Sequence, residues 1–304
     1  MKAIVPKVSV IVLSHDRPSY LPKVLESILA QTHSNLEVIV VDNHSDSSGE
    51  IAQLVHGFPG VRLVQNKTNL GFTGGMNKGI RAATGDYVHC TLDDVLLDRE
   101  CISSLTQYLE QHPMTGLLSG ILYYEDETIC CAGGEAHLTP IYRLKVFGEG
   151  EKDVGQFPDP FQVKYIPGGM IFSRLDFMIQ LNGFREDFFI YSEDVDLCAR
   201  VAKLRRDITV VPQAKVCVLD APHAFKSDRI AFHKLKNIFA IYLLHARLRF
   251  LPEFLFRYGV ISFPKYLISD RKFIWPLIKA WIWFLAKSPS LLSERFRARS
   301  LESI

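Results

Sequence analysis

The sequence predicts an α/β fold with a mainly parallel sheet flanked by helices, followed by a helical C-terminal extension. Two observations carry this prediction. First, short apolar runs rich in β-branched residues alternate with segments of helical spacing, which is typical of right-handed βαβ units. Second, the charge changes sign along the chain: residues 1–225 hold 20 Lys+Arg and 28 Asp+Glu, net −8, whereas residues 226–304 hold 15 and 5, net +10.

The first part of the chain alternates between strands and helices. Residues 8–13 and 36–41 are continuous apolar runs, as expected for strands buried on both faces. Pro18 suits the start of the helix between them. A third strand is expected at 61–64. The loop after the first strand contains no glycine, which argues against a GxGxxG dinucleotide-binding site.

A glycine-rich segment follows the third strand. It holds Gly71, Gly74, Gly75 and Gly79, and we expect a loop that enters a helix and offers backbone amides to a ligand. Asn69 and Asn77 add neutral hydrogen-bonding groups nearby. A plain turn is the simpler alternative for such glycines.

A fourth apolar strand ends in two adjacent carboxylates, Asp93 and Asp94, before a helix start at Asp98. Carboxyl ends of strands are where ligands bind in open α/β sheets. Neighbouring carboxylates repel unless a cation lies beside them, and magnesium or manganese, shared with substrate phosphates, is the economical candidate. The alternative is that both residues only form a turn and a cap.

The second part of the chain is less regular. An amphipathic helix after Asp98 and a strand at 116–122 precede a polar segment, 123–162, which we interpret as a hairpin and loops beside an acceptor site. A short strand at 170–173 comes next. Three acids, Glu193, Asp194 and Asp196, open a helix reaching about 204, and strands are expected at 208–211 and 214–219. For Asp196 we favour a structural role in the first helical turn.

Several ordered motifs together carry a resemblance to a known family. They are VSVIVLSHDRP, QTHSNLEVIVVDNHSDSSG, NLGFTGGMNKGIRAATGDYVHCTLDD, YIPGGMIFSR and LNGFREDFFIYSEDVDLCARVAKLRRDITVVPQAKV. Over about 8–219 the chain resembles the family 2 inverting glycosyltransferases, which have the GT-A fold. It is most similar to rhamnosyl- and galactofuranosyltransferases of bacterial surface polysaccharides. The resemblance implies a GT-A domain at 1–225, with a nucleotide-sugar half at 1–98 and an acceptor or catalytic half at 99–225.

The resemblance also implies roles for individual residues. A UDP- or dTDP-sugar would donate a sugar to a hydroxyl of a glycan or lipid-linked acceptor. Asp94 would be the first ligand of Mg²⁺ or Mn²⁺, helped by Asp93 and His223. Leu92 departs from the family's D-x-D pattern. Asp194 would be the catalytic base, with Glu193 as the fallback. The nucleotide-sugar would contact Ser14, Asp42, Asn69, Gly71, Asn77 and Asp93.

The basic extension, 226–304, is interpreted as a membrane-associated tail. Trp275, Trp281 and Trp283 lie among lysines, which is typical of a segment in the headgroup region of an anionic membrane. The alternatives are packing on the catalytic domain and an oligomer contact. No recognised nucleic-acid module accompanies the basic charge, so we expect no nucleic-acid partner.

The compartment follows from what the sequence lacks. We find no secretory signal and no apolar window long enough to span a bilayer. The six cysteines form no metal-type pair and are expected to be free thiols in a reducing compartment. We therefore expect a cytoplasmic protein, peripheral on the inner face of the cell membrane.

Two alternative functions remain open. A nucleotidyltransferase also uses a carboxylate-held metal on a parallel sheet, but it would leave the acids at 193–196 without a role. A catalytically inactive relative that only binds nucleotide sugar is favoured by Leu92, which stands where an acid is expected.

Overall fold

The computed structural model describes residues 5–139, 142–220, 228–258 and 274–301. Within them, the strands are β1 Val8–Ser14, β2 Leu36–Asp42, β3 Val61–Gln65, β4 Tyr87–Leu92, β5 Val95–Leu97, β6 Thr115–Tyr124, β7 Ile129–Cys131, β8 Gly134–Leu138, β9 Tyr142–Val146, β10 Phe161–Gln162, β11 Met170–Arg174 and β12 Asp207–Val218. The helices are α1 Leu21–Leu29, α2 Ser48–His56, α3 Gly71–Ala82, α4 Cys101–Gln111, α5 Leu175–Gln180, α6 Glu193–Lys203, α7 Asp228–His245, α8 Leu251–Phe256 and α9 Ile274–Leu301.

One mixed, mostly parallel sheet organises the molecule, which confirms the predicted fold class. Its order is β10-β12-β6-β11-β4-β1-β2-β3, with β5 added to β12 and β7 to β6, and a separate hairpin is formed by β8 and β9. Strand β1 pairs in parallel with β2 and β4, and β2 with β3. The carboxyl ends of these strands therefore lie at one edge of the sheet.

The central strands are buried on both faces, as their apolar runs predict. Successive side chains of a strand point to opposite faces. Accordingly, Val10 and Val12 belong to one hydrophobic cluster, while Ile11 and Leu13 belong to the other. Helices cover the sheet on both sides because neither face can remain exposed.

The glycine-rich segment differs from its prediction. Its glycines lie inside α3 rather than in a loop before it. An added Cβ at Gly79 would lie 2.3 Å from Cγ2 of Ile11, and one at Gly75 would lie 2.6 Å from Cδ1 of Leu13. These two glycines therefore let α3 pack closely against β1.

Two further boundaries differ from the prediction. A short strand, β5, follows Asp94, and α4 begins at Cys101. The two closing strands predicted at 208–211 and 214–219 form one strand, β12, whose register with β6 shifts between Val210 and Lys215. Apolar periodicity alone does not separate a bulged strand from two short ones.

The basic extension packs on the sheet domain through α7. Helix α7 is buried almost all round, as expected for a helix inside a core. Phe239 of α7 contacts Phe254 of α8 and Phe284 of α9, and all three belong to the same hydrophobic cluster as strand β1. Within the described residues, the predicted boundary at residue 225 therefore does not separate two cores.

Two expectations about membranes and thiols can be compared with the structure. Over the described ranges, none of the helices has both the length and the apolar character needed to cross a bilayer. The cysteines are free, as predicted, and four of them are buried: Cys90, Cys101, Cys131 and Cys198.

Candidate active site

A cavity of about 380 Å³ opens at the carboxyl ends of β1, β2 and β4. Its polar groups include Arg17, Asn43 and Asp93 from the loops after these strands and Asn69 from the segment after β3. Most other lining residues are apolar or aromatic, and the far side, which includes Arg229, comes from the segment before α6 and from α7. Its lining residues are Leu13, His15, Arg17, Asn43, Asn69, Gly71, Phe72, Leu92, Asp93, Phe189, Ile190, Arg229, Ile230 and His233.

The first carboxylate pair stands at this edge, directly after β4. Asp93 lines the cavity, and its Oδ2 accepts a hydrogen bond from the backbone N–H of His15 at 3.3 Å. Asp94 forms an ion pair with Arg17, whose other terminal nitrogen lies 3.2 Å from Oδ2 of Asp220. A guanidinium therefore already lies between two carboxylates where the sequence predicts a cation.

Burial shapes the protonation of this pair. It raises the pKa of Asp93 to about 7, and the neighbouring charge of Asp94 contributes to the shift while Arg17 opposes it. Burial also raises the pKa of Asp94, because it outweighs the attraction of Arg17. Arg17 offsets the rise in both pKa values only in part, so this buried pair is short of positive charge.

The carboxylate oxygens of Asp93 and Asp94 suit a hard divalent ion, but they supply only some of the ligands that it needs. Oδ1 of Asp94 is buried and has no hydrogen-bond partner within the described part of the chain. Among the described residues, no three His, Cys, Asp or Glu side chains come together as a complete metal-binding group. Substrate oxygens would have to supply the remaining ligands, as they commonly do for magnesium. His223, the third predicted ligand, lies outside the described residues.

Ser14 and Asp42 occupy the ends of neighbouring strands, as predicted, and are register partners. Asp42 has no exposed surface, and its carboxylate accepts hydrogen bonds from the backbone N–H of Ser45 at 3.0 Å and from the Ser48 hydroxyl. These bonds lower the pKa of Asp42 although burial opposes them. The structure places Asn43, the next residue, in the cavity wall instead.

The polar groups of the α3 region separate into two sets. Asn69 and Gly71 line the cavity, and Asn43 donates to Oδ1 of Asn69 at 3.2 Å and to the carbonyl of Gly71 at 3.0 Å. Asn77 does not line it. Its amide donates to the carbonyl of Phe184 and accepts from the N–H of Phe184, both at 2.8 Å. The structure therefore uses Asn77 to hold the segment before α6.

The second carboxylate pair, Glu193 and Asp194, opens α6. Oδ2 of Asp194 accepts a hydrogen bond from the hydroxyl of Tyr165 at 2.9 Å. Oε2 of Glu193 is buried without a hydrogen-bond partner in the described ranges. Burial raises the pKa of both carboxyls, and the charge of Asp194 adds to the rise at Glu193 while the Tyr165 hydroxyl opposes it at Asp194.

Gly168 and Gly169 connect the second pair to the cavity wall. A Cβ added at Gly168 would lie 3.1 Å from Cζ of Phe72 and 3.2 Å from Oε1 of Glu193, so a larger residue would press against both side chains. Glu193 therefore approaches the wall. Neither Asp94 nor Asp194 is among the described residues that line the cavity. Instead, Arg17 pairs with Asp94, and the hydroxyl of Tyr165 donates a hydrogen bond to Asp194.

Sequence reasoning missed several residues of the site. Arg17 lies in the SHDRP loop after β1, and the need of Asp93 and Asp94 for a cation could have identified it. Arg229 and His233 come from α7 and carry no motif. The ring of His233 stacks on that of Phe189 with centroids 4.7 Å apart, and the guanidinium of Arg229 lies 4.7 Å from the same centroid.

Comparison with known proteins identifies the family. The model of glycosyl transferase family 2 matches residues 9–171, more than half of the chain. An uncharacterized glycosyltransferase of Haemophilus influenzae is 37% identical over 34% of this chain and 35% of its own length. The N-acetylglucosaminyl-diphospho-decaprenol L-rhamnosyltransferase of Mycobacterium tuberculosis is 24% identical over 68% of this chain and 74% of its own length.

A solved structure supports the fold. The mannosyltransferase PcManGT from Pyrobaculum calidifontis, in complex with GDP-Man and Mn²⁺, superposes with a TM-score of 0.56 at 18% identity, over 99% of this chain and 84% of that one. The sheet order, the cavity at its carboxyl edge and this likeness define a protein of the GT-A fold. The chain belongs to glycosyl transferase family 2. Against the Haemophilus relative and two further curated relatives, it spans only 27% to 42% of their length.

Proposed function

We propose that the protein is an inverting glycosyltransferase that moves a sugar from a nucleotide-diphosphate sugar to an acceptor hydroxyl. The observation that carries this proposal is the cavity at the carboxyl edge of the sheet, which joins neutral amides, a guanidinium and the Asp93 carboxylate within a partly aromatic wall. Amides and a guanidinium suit a nucleoside diphosphate, and an aromatic wall suits a sugar ring. Membership of the family and the names of its relatives support the same activity.

The donor would lie across the ends of β1, β2 and β4. Asn43 and Asn69 supply amide groups to its nucleoside part, and Arg17 is within the same wall for its diphosphate. A Mg²⁺ or Mn²⁺ ion held by Asp94 and Asp93 would neutralise the departing diphosphate. In its presence Arg17 would no longer be needed as the counter-charge of Asp94 and would be available to the phosphate oxygens, which guanidinium binds well.

The acceptor hydroxyl needs a base on the opposite face of the sugar. Asp194 is our first candidate, since a carboxylate with a raised pKa is a better proton acceptor near neutral pH. Glu193 is the fallback, because its Oε2 lacks a partner among the described residues and it approaches Phe72 in the cavity wall. Attack from that face in one displacement would invert the anomeric centre.

The first experiment is a donor screen by thermal shift with UDP-, dTDP- and GDP-sugars, each with and without Mn²⁺. We expect one nucleotide series to raise Tm and Mn²⁺ to increase the shift, because the donor diphosphate completes the ion's ligands. Transfer is then measured with the stabilising donor and lipid-linked glycans. Release of pyrophosphate instead of a nucleoside diphosphate would identify a nucleotidyltransferase. Binding without transfer or hydrolysis across the panel would identify an inactive relative.

We further propose that the outer face of α9 lies on an anionic membrane, which would bring the site to a lipid-linked acceptor. Trp275, Ile282 and Phe296 are exposed at spacings of seven and fourteen residues and therefore share one face. Lys279, one turn after Trp275, is exposed on the same side of the helix. An apolar stripe with a lysine beside it suits the headgroup region of anionic lipid.

Vesicle sedimentation tests this surface. We expect the protein to bind vesicles containing phosphatidylglycerol more than pure phosphatidylcholine, with binding weakened by salt. Ile282→Glu should reduce binding at least several-fold. The control is Ile179→Glu on α5, since Ile179 is 59% exposed and Ile282 is 64% exposed. If both variants and the unmodified protein bind vesicles equally, the proposed membrane contact is wrong. The outer face of α9 would then be a candidate oligomer contact.

A further inference from the structure

The segment that leads into the second carboxylate pair has an unfavourable backbone. Phe189, Tyr191 and Ser192 have φ angles of +66°, +71° and +63°, although none of them is glycine. At Phe189 the N–H of Ile190 donates to the carbonyl of Phe188 at 2.8 Å, which closes a tight γ-turn of a rare and strained kind. Non-glycine residues rarely adopt a positive φ, because their Cβ crowds the neighbouring carbonyl oxygen. The segment 188–192 therefore needs support from its surroundings.

Helix α3 supports one side of the segment. The carbonyl of Phe189 accepts a hydrogen bond from the N–H of Thr73 at 3.2 Å. Gly71 makes this approach possible, because a Cβ there would lie 2.3 Å from the same carbonyl oxygen. The start of α3, which contributes Gly71 to the cavity wall, and the segment 188–192 are thus in direct backbone contact.

Helix α7 holds the other side through one side chain. The amide nitrogen of Asn237 lies 3.0 Å from the carbonyl oxygens of both Phe188 and Ile190 and 2.6 Å from that of Tyr191, and it donates to them. Asn237 is fully buried. Its neighbour Lys236 donates to the carbonyl of Asp187. One side-chain amide group therefore binds three carbonyl oxygens. These oxygens face the same nitrogen because residues between them have positive φ angles.

We propose that Asn237 is a positioning residue for the transfer reaction, holding the left-handed segment 188–192 so that Glu193 and Asp194 enter α6 in the geometry that catalysis needs. The segment supplies Phe189 and Ile190 to the cavity wall and continues without a break into the two carboxylates. The inference rests on the proposed glycosyl transfer, but it concerns a residue of the extension that lies beyond the stretch matched by the family model.

The test begins with Asn237→Leu, which keeps the approximate volume and removes the donors. We expect kcat to fall about 10-fold to 100-fold, because small misplacements of reacting groups cost rates of this order. The KM for the donor should change less than threefold, since Arg17, Asn43 and Asn69 belong to other elements. Should this variant not fold, Asn237→Ser, which keeps one hydroxyl donor, replaces it in the same scheme.

A second substitution separates positioning from mere stability. Glycine adopts positive φ without strain, so Ser192→Gly added to Asn237→Leu should restore kcat at least threefold. Arg205→Gly is the matched control, because Arg205 also has a positive φ, +53°, but lies at the far end of α6. It should leave kcat of the Asn237→Leu variant unchanged. Equal rescue by both glycines, or rescue by neither, would overturn the proposal.

A third variant controls for loosening of α7. Lys203→Met removes the hydrogen bond from Lys203 to the carbonyl of Leu244 at 3.0 Å, which also ties α7 to α6. It should lower Tm while kcat stays within twofold of the unmodified protein. A loss of kcat as large as that of Asn237→Leu would show that any weakening of α7 suffices, and would overturn the specific role of Asn237.

Hydrogen exchange keeps the inference separate from the proposed function. Amides of 188–195 should exchange faster in Asn237→Leu than in the unmodified protein. If exchange is faster in the variant but even the unmodified protein transfers no sugar, the proposed glycosyltransferase function is refuted. The catalytic part of this inference is then refuted with it. Faster exchange with unchanged kcat in an active transferase would refute the positioning role alone.

Discussion

Each of the two carboxylate pairs of this protein consists of two adjacent acids, but the surroundings of the pairs differ. Asp93 and Asp94 follow a strand, and Asp94 pairs with the guanidinium of Arg17. Glu193 and Asp194 open a helix, and the side chain of Asp194 accepts a hydrogen bond from the neutral hydroxyl of Tyr165. Burial raises the pKa of all four carboxyls.

This difference teaches how one residue type serves two purposes. A pair that already attracts a guanidinium provides a place for positive charge, so it suits an ion and a diphosphate. In a buried pair beside a hydroxyl, burial raises the pKa of both carboxyls instead, which favours the uptake of a proton. A third acid, Asp196, shows the structural use, because Arg200 and His245 contact its buried carboxylate at 2.8 Å each.

The largest expected effect tests the second carboxylate pair, Glu193 and Asp194. Asp194→Asn keeps the shape and the Tyr165 contact but cannot take up a proton. We expect kcat to fall about 10³-fold, within the range that a general base supplies. Nucleoside diphosphate binding, measured by calorimetry, should be unchanged. If Asp194→Asn retains activity and Glu193→Gln does not, the fallback assignment is correct; if both retain it, neither is the base.

The next effect concerns stability and the structural acid. Asp196→Ala would leave Arg200, Arg185 and His245 around an empty position, since all three lie within 3.6 Å of its carboxylate. Removing one partner of a buried ionic group costs about 3 to 5 kcal/mol. Urea unfolding should show this loss. If the free energy of unfolding falls by less than about 1 kcal/mol, water reaches the cluster and Asp196 does not have the structural role that sets it apart from Glu193 and Asp194.

Asp94→Asn tests the first carboxylate pair, Asp93 and Asp94, as the binding site of the metal ion. We expect about a 100-fold loss of kcat and, more specifically, loss of the Mn²⁺-dependent part of the Tm shift with donor, because the ion loses its principal ligand. Asp220→Asn is the comparison, since Arg17 also contacts Asp220. Retention of the full Mn²⁺ response in Asp94→Asn would assign the ion elsewhere.

The smallest effect is a pH dependence. The folded-state pKa of Glu193 is raised above its ordinary value of 4.5, so the unmodified protein should lose stability as pH rises above that value. Glu193→Gln removes this loss, which amounts to about 1.4 kcal/mol for each pH unit over which the folded carboxyl keeps its proton and the unfolded one does not. Thermal unfolding should show a stabilised variant at pH 8 and no difference near pH 4. The opposite trend would mean that Glu193 is ionised by a favourable contact.

The fold was largely predictable from the sequence because each central strand is buried on both faces. Burial requires apolar side chains at every position, and the resulting runs at 8–13 and 36–41 are visible without coordinates. The carboxylates at strand ends were equally visible, since polarity changes abruptly there. The glycines of α3 were misplaced because their purpose is contact with β1, a neighbour 60 residues away in the chain, and local sequence does not reveal it.

The extension was predicted less well. Its aromatics and lysines suit both a membrane surface and a protein core. The structure places α7 inside the shared core, with Phe239 fully buried, and leaves the outer face of α9 exposed. Composition could not distinguish these outcomes, because the hydrophobic effect rewards removal of apolar area from water whatever covers it.

By itself the sequence determined the α/β class, the positions of the first four strands along the chain and the positions of both acid pairs, because these depend on burial and on residues next to one another. Tertiary structure decided which group each acid faces: Arg17 for Asp94, Tyr165 for Asp194, and the three basic side chains around Asp196. It also decided that Asn237 supports the segment before α6. The contacts of Arg17, Tyr165, Asn237 and His245 join residues 29 to 77 positions apart, and only the packing of helices on the sheet determines which of them meet.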